Sequence, residues 1–253
     1  SFRTSIQWSR LIDDLEEGTV NEDAVRFYNA VIDECLVQGI KPVMNLFHFD
    51  MPIELQNKYG GWESKHVVDL FAKFAGQCFR LFGDRVTDWF TFNEPLVIVD
   101  GAYLYQFHYP KIVDGKKAVQ VAYNIALASA KTIAAFREIN TNPAGKIGII
   151  LNLTPSYPAT EEPEDLAAAS FANLWMNDMF LDAAVKGAFP QELVATFEED
   201  GVLWNATTEE LQLIGANTID VLGVNFYLLF LVQRSSVSAV SLALYWMLSC
   251  YFE

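Results

Sequence analysis

The 253 residues are 52% hydrophobic and 14% aromatic, enough to bury one large core or the whole of a single α/β barrel. Lys and Arg number 17 against 32 Asp and Glu, and the net charge of -15 disfavours a nucleic acid or an anionic membrane surface as partner. No linker-like stretch, long charge block or solenoid period divides the chain, so one domain is the simplest expectation.

The chain opens on SFRTSIQWSR, which contains two Arg and no long apolar core; SFRTSIQW is predicted as a strand and not as a signal peptide. A helix follows Asn21, a good N-cap, with Val25, Tyr28, Val31, Ile32, Cys35 and Leu36 on one face and Gly39 at its end. Next come the strand KPVMNLFHF, a loop over DMPIELQNKYGGW, and a helix whose apolar face runs from Val67 through Phe71, Phe74 and Cys78 to Phe82. VTDWFTFN is a third strand, GAYLYQFHYP a long loop, and 116–139 a helix that stops before Asn142-Pro143. KIGIILNL is a fourth strand, the Ala-rich stretch 164–186 its helix, and 191–199 a shorter helix. TIDVLGVNFY is a fifth strand.

Beyond Tyr227 the chain shows neither clean alternation nor capped helical periodicity, so domain bounds of 1–227 and 228–253 are expected. The uncharged stretch 236–252 approaches the length that spans a bilayer, about 18 to 20 residues, but its serines and shortness argue against a membrane helix. Cys35, Cys78 and Cys250 lack CxxC spacing, and the first two fall on apolar helix stripes, which fits a reducing cytoplasm. The rhythm is that of an α/β protein with a parallel sheet wound by crossover helices. At most five strand and helix pairs can be counted, where a closed (β/α)8 TIM barrel has eight.

In such sheets ligands sit beyond the carboxyl ends of the strands. His48 closes the second strand, Asn93 and Glu94 the third, Asn152 the fourth, Asn225 and Tyr227 the fifth, and Arg3 lies on the first. Amides, an imidazole, a phenol and a carboxylate among aromatic rings suit a polyhydroxylated ligand, whose hydroxyls need paired donors and acceptors. Each residue also has a plainer reading. Glu94 could be a solvated strand-end acid, His48 a satisfied core histidine, Arg3 half of a structural ion pair and Tyr227 a packing residue.

His48, His66 and His108 lie far apart without metal-ligand spacing, and GxSxG, Walker A and GxGxxG motifs are all missing from the sequence. Neither a metal nor a cofactor is expected. What remains is acid and base chemistry by Glu94 in a partly apolar setting, flanked by Trp89, Phe90 and Phe92. Such a group can protonate a glycosidic oxygen, although glycoside hydrolysis usually uses two carboxylates, about 5 to 5.5 Å apart when configuration is retained.

Together the segments SFRTSIQWSR, VNEDAVRFYNAVIDECLVQGIKPVMNLFHFDMP, KYGGW, WFTFNEP, KIGIILN and DVLGVNFY resemble glycoside hydrolase family 1, in that family's order, over residues 1 to about 227. The resemblance implies an eightfold barrel, here with strands two to six. It assigns Glu94 as acid/base, Asn93 to the sugar 2-hydroxyl, His48 to another sugar hydroxyl, and Phe49 to the position of a frequent Trp beside the glycone. Arg3, Asn225 and Tyr227 match positions around the nucleophile. HFDMP and GAYLYQFHYP look most like the 6-phospho-β-glucosidase branch, implying a cytoplasmic enzyme with a small-molecule β-glycoside as partner.

The resemblance also departs from the family pattern. The family's first strand and its sugar-binding Gln are expected to be absent, as are the ITENG-like nucleophile segment, strands seven and eight, and the Ser/Lys loop that holds a 6-phosphate. Little or no turnover is therefore expected of this chain alone. The alternatives are a neutral β-glucosidase or β-galactosidase, and a non-catalytic sugar-binding fragment completed by another chain, with oligomers forming through open sheet edges.

Overall fold

The computed structural model of the protein describes residues 1–234. The apolar stretch 236–252 and Cys250 lie outside them, and among the described residues no helix is long and apolar enough to cross a membrane. The chain begins with β1 (Phe2–Ser5) and turns at once into α1 (Trp8–Leu11). The first strand is thus shorter than predicted, because the N–H groups of Arg10 and Leu11 return to the Gln7 carbonyl and close a helical turn.

A hairpin of β2 (Ile12–Asp14) and β3 (Thr19–Val20) leads into α2 (Glu22–Val37). The Asn21 side chain accepts the Ala24 N–H at 2.9 Å, so the predicted cap is made, and Gly39 takes the left-handed φ of 67° that ends the helix. After β4 (Pro42–Asn45) the expected loop contains a helix, α3 (Ile53–Tyr59). Pro52 and Gly60, which punctuate a loop in the sequence, are the caps of that helix, Gly60 with a φ of 78°. Ser64 Oγ accepts the His66 N–H at 3.2 Å to open α4 (Lys65–Phe82), and β5 (Asp88–Asn93) follows. α5 (Pro95–Tyr103) occupies the start of the predicted long loop, and α6 (Gly115–Ile139) comes next.

β6 (Lys146–Asn152) and β7 (Ser156–Pro158) precede the Ala-rich stretch, which forms α7 (Pro163–Asn173) and α8 (Met179–Val185) around a π-helical turn, Leu174–Asp178. α9 (Gln191–Glu199) has its predicted bounds, whereas α10 (Thr208–Ala216) was not anticipated. β8 (Val221–Asn225) stops short of Tyr227, and β9 (Phe230–Val232) pairs in parallel with β7 in the stretch that carried no prediction.

Packing divides the chain into two compact units. The first consists of residues 1–93, 124–150 and 216–223. Its sheet has the order β1-β4-β5-β6-β8, with parallel registers from β1 to β6. The aromatic core of this unit stacks Trp8 on Phe74 at 5.5 Å, sets Phe47 edge-on to Trp62 at 5.1 Å, and brings Phe71 to 4.9 Å from Phe92. Each such pair contributes about 0.5 to 1.5 kcal/mol beyond area burial. Phe47 and Phe92 each immediately precede a polar candidate residue, so the core fixes where His48 and Asn93 emerge.

The seam between β6 and β8 depends on a glycine: a Cβ at Gly148 would lie 1.8 Å from the Val221 carbonyl oxygen. Ile147 N–H donates to Asp220 Oδ2 at 3.0 Å, Asp220 N–H donates to the Ile147 carbonyl at 2.9 Å, and Arg137 Nη2 donates to the Thr218 carbonyl at 2.6 Å.

Among the described residues the second unit consists of 94–123, 151–215 and 224–234. Its core stacks Tyr123 on Trp204 at 5.4 Å and sets Phe189 4.5 Å from the same indole. The Tyr123 hydroxyl donates to Glu210 Oε2 at 2.9 Å, and burial followed by that carboxylate pushes the phenol well above its ordinary range.

Candidate active site

In the first unit, backbone pairing brings two strand ends into line. Leu46 N–H donates to the Phe90 carbonyl and Asn93 N–H to the Phe47 carbonyl, both at 2.9 Å, so the residue after Phe47 faces the residue after Phe92. Asn93 Nδ2 lies 3.2 Å from His48 Nε2, and Arg3 Nη1 donates to Asn93 Oδ1 at 3.1 Å. His48 Nδ1 is 3.5 Å from Ser5 Oγ, which also accepts from Asn45 Nδ2 at 3.4 Å. Three sequence-predicted residues, Arg3, His48 and Asn93, thus form one chain of contacts in which Asn93 is 2% exposed.

Phe49 adjoins this chain with its ring edge-on to His48 at 5.0 Å and a left-handed φ of 69°. Arg3, Ser5, Tyr28, His48, Phe49 and Asp50 line part of a concavity of about 850 Å³ in this unit. Asp50, which sequence reasoning gave no role, accepts the His48 N–H at 3.0 Å and the Trp8 N–H at 3.3 Å, holding the turn after β4. Its burial raises the carboxyl above the ordinary range against the opposing pull of those donors. The signal available in the sequence was an acid two residues after a strand-end histidine.

In the second unit the site is built around Glu94. β5 ends at Asn93, and Pro95 starts α5 with its φ preset for a helix, so Glu94 makes the whole turn between them at φ 50° and ψ 61°. A left-handed carboxylic residue costs on the order of 1 to 3 kcal/mol and persists only where its surroundings hold it. Asn225 Nδ2 and the Tyr227 hydroxyl both donate to Glu94 Oε1 at 2.6 Å, and Glu94 is 7% exposed. The sequence grouped Asn225 and Tyr227 around a nucleophile; here they meet the acid.

A carboxyl group held by two donors on one oxygen keeps a fixed direction for the other, which suits delivery and recovery of a proton. Sequence reasoning also missed the brace of the loop after β6, where Asn177 Oδ1 accepts the Thr154 N–H at 2.7 Å and Asn177 Nδ2 donates to the Thr154 carbonyl at 3.0 Å. Asn177 lies on the π-helical turn, an interruption that periodicity alone does not reveal. Among the described residues no three His, Cys, Asp or Glu side chains gather as a metal site.

A family model described as glycosyl hydrolase family 1 matches residues 1–244. The chain belongs to glycoside hydrolase family 1. Within that family it is 53% identical over 227 residues to the 6-phospho-beta-glucosidase GmuD of Bacillus subtilis strain 168, covering 90% of this chain and 48% of the relative. It is 33% identical over 243 residues to the aryl-phospho-beta-D-glucosidase BglC of the same organism, covering 95% of this chain and 50% of that one. The solved family 1 b-glucosidase of Thermotoga maritima superposes with a TM-score of 0.84 at 34% identity, over 92% of this chain and 52% of that structure. The family 1 chain therefore spans about half the length of the curated relatives it matches. Its parallel sheet with five strands is part of the (β/α)8 architecture that the resemblance implied.

Proposed function

We propose that the protein carrying these residues hydrolyses β-glycosidic bonds with retention of configuration, with Glu94 as general acid and then general base, and that its substrates are 6-phospho-β-glucosides. The observation that carries this reading is the buried, left-handed Glu94 with both donors on Oε1. Oε2 then protonates the leaving glycosidic oxygen while a second carboxylate, about 5 to 5.5 Å away, attacks the anomeric carbon. The bond to the aglycone breaks and a glycosyl ester forms. In the second half, Glu94 takes a proton from water, whose oxygen releases the sugar and frees the second carboxylate.

Asn93, His48 and Phe49 are proposed to hold the sugar, and Arg3, Asn225 and Tyr227 to position the reacting carboxyl groups. The 6-phosphate preference is supported by 53% identity to a protein named for phosphorylated glucosides, against 34% to a solved b-glucosidase.

The test is hydrolysis of aryl β-glucosides and their 6-phosphates by the protein that carries this chain. Glu94→Gln is expected to lower kcat by about 10² to 10⁴ on substrates whose leaving group needs protonation. Wild-type rates in Glu94→Gln would remove Glu94 from the mechanism. Preference for the unphosphorylated substrate would favour the neutral glucosidase reading.

A further inference from the structure

The contacts of Asn93 decide more than its own position. A guanidinium carries only donors, so the amide edge 3.1 Å from Arg3 Nη1 must be the oxygen. The edge 3.2 Å from His48 Nε2 is then the NH2 group, which has hydrogens to give and no lone pair to offer. A hydrogen bond across that gap requires Nε2 to be unprotonated. The neutral ring must keep its proton on Nδ1, which faces Ser5 Oγ at 3.5 Å. A hydroxyl can donate or accept, so Ser5 follows the ring and does not choose its tautomer.

We propose that Arg3 is a positioning residue that sets the tautomer of His48 through the amide of Asn93, leaving the proton on Nδ1 and Nε2 as an acceptor. The carboxylate nearest in sequence, Asp50, takes the backbone N–H of His48. For the sugar site, the consequence is that the single lone pair of Nε2 is engaged by Asn93, so a ligand hydroxyl must displace that amide hydrogen before it can donate to the ring. That consequence rests on the proposed function; the tautomer itself does not.

Histidine ring nitrogens in the ¹⁵N-labelled protein report the proton directly, in the absence of substrate, at about pH 8 where an ordinary imidazole is neutral. The sequence has three histidines, and the signals lost in His48→Gln identify the ring concerned. His48 is expected to show a protonated Nδ1 and a bare Nε2. Asn93→Asp keeps an oxygen for Arg3 and turns a second one to the ring, so the proton is expected to move to Nε2 and the two shifts to exchange. Arg3→Met removes the donor that faces the amide oxygen and is expected to give a mixture of tautomers, an unchanged pattern counting against Arg3, while Arg3→Lys retains a donor and restores the wild-type pattern.

A wild-type His48 protonated on Nε2 would overturn the proposal. So would an unchanged pattern in Asn93→Asp that retains its native circular dichroism. Should Arg3→Met fail to fold, the wild-type and Asn93→Asp spectra still decide the role of Asn93, and Arg3→Gln, whose shorter amide no longer carries the guanidinium donors, tests that of Arg3. A failed glycosidase assay leaves these spectra unaffected, so the two readings stand or fall separately.

Discussion

Glu94 and Phe49 are two of four non-glycine residues with positive φ among the described residues, the others being Gln106 and Lys111. Glycine would fit each of these backbones at lower cost. The side chain must therefore justify the conformation, and for Glu94 the two bonds at 2.6 Å do so. Tyr227→Phe removes one of them while keeping the ring, which is 70% exposed. A hydrogen bond to a charged group is worth about 1.5 to 3 kcal/mol, less where solvent reaches it, so kcat is expected to fall about tenfold. Denaturant melts should show a modest cost, about 0.5 to 1.5 kcal/mol, because solvent reaches the hydroxyl and Asn225 still donates to Oε1. An unchanged kcat and an unchanged melt would mean that Tyr227 acts as packing through its ring, the plainer reading that its sequence position also allowed.

At the scale of elements, Gly148 has the least room for a Cβ of the described glycines, 1.8 Å from a backbone oxygen. Gly148→Ala would drive a methyl into the Val221 carbonyl, and an overpacking cost of about 1 to 3 kcal/mol is expected in denaturant melts. The capping box of α10 offers a second measurement: Glu210 N–H donates to Thr207 Oγ1 at 3.2 Å and Thr207 N–H to Glu210 Oε2 at 2.9 Å. Thr207→Ala should cost about 0.5 to 2 kcal/mol.

These same elements explain what the sequence made legible. Long amphipathic helices such as α4 and α6 declared themselves because ten buried positions, or many Ala and Ile, repeat at helical spacing. α10 has few buried residues, and its signal lay in the cap and not in its periodicity. α3 was hidden by its own boundary residues. Strands were read too long because aromatic residues continue past the last paired position: His48, Phe49, Phe226 and Tyr227 look like strand and stand beyond it. The residues of the candidate site were legible as polar groups at strand ends. Their partners were not, since only the folded chain shows that Tyr227 reaches Glu94 and that Arg3 reaches Asn93.

At the scale of the whole molecule, the acidic chain carries one carboxylate tied into several elements. Glu16, in the β2–β3 turn, accepts from the Tyr59 hydroxyl, from Lys58 Nζ at 2.9 Å, and pairs with His66 Nε2 at 2.8 Å. Tyr59 first, then Lys58 and His66, lower the acid from 4.5 to about 2. A depressed carboxyl contributes stability that is present above its unfolded value and lost as pH falls through its folded one. Acid melts should therefore show a loss between pH 4.5 and about 2 that Glu16→Gln flattens. An unchanged acid profile in that variant would mean that other carboxylates govern this window.

The seam between β6 and β8 carries one more implication, for the order in which the chain folds. Ile147 and Asp220 are 73 residues apart, farther than any partners in the registers from β1 to β6. Loop length itself adds little to equilibrium cost, about 0.6 kcal/mol per doubling, but distant pairings are reached late. The segment carrying α7 to α10 lies inside that loop, so it must either fold beforehand or be closed over while still loose. On a ribosome, the first four sheet strands would already be paired while β8 was still being made. The amide of Asp220 would then be among the last in the sheet to gain protection from hydrogen exchange.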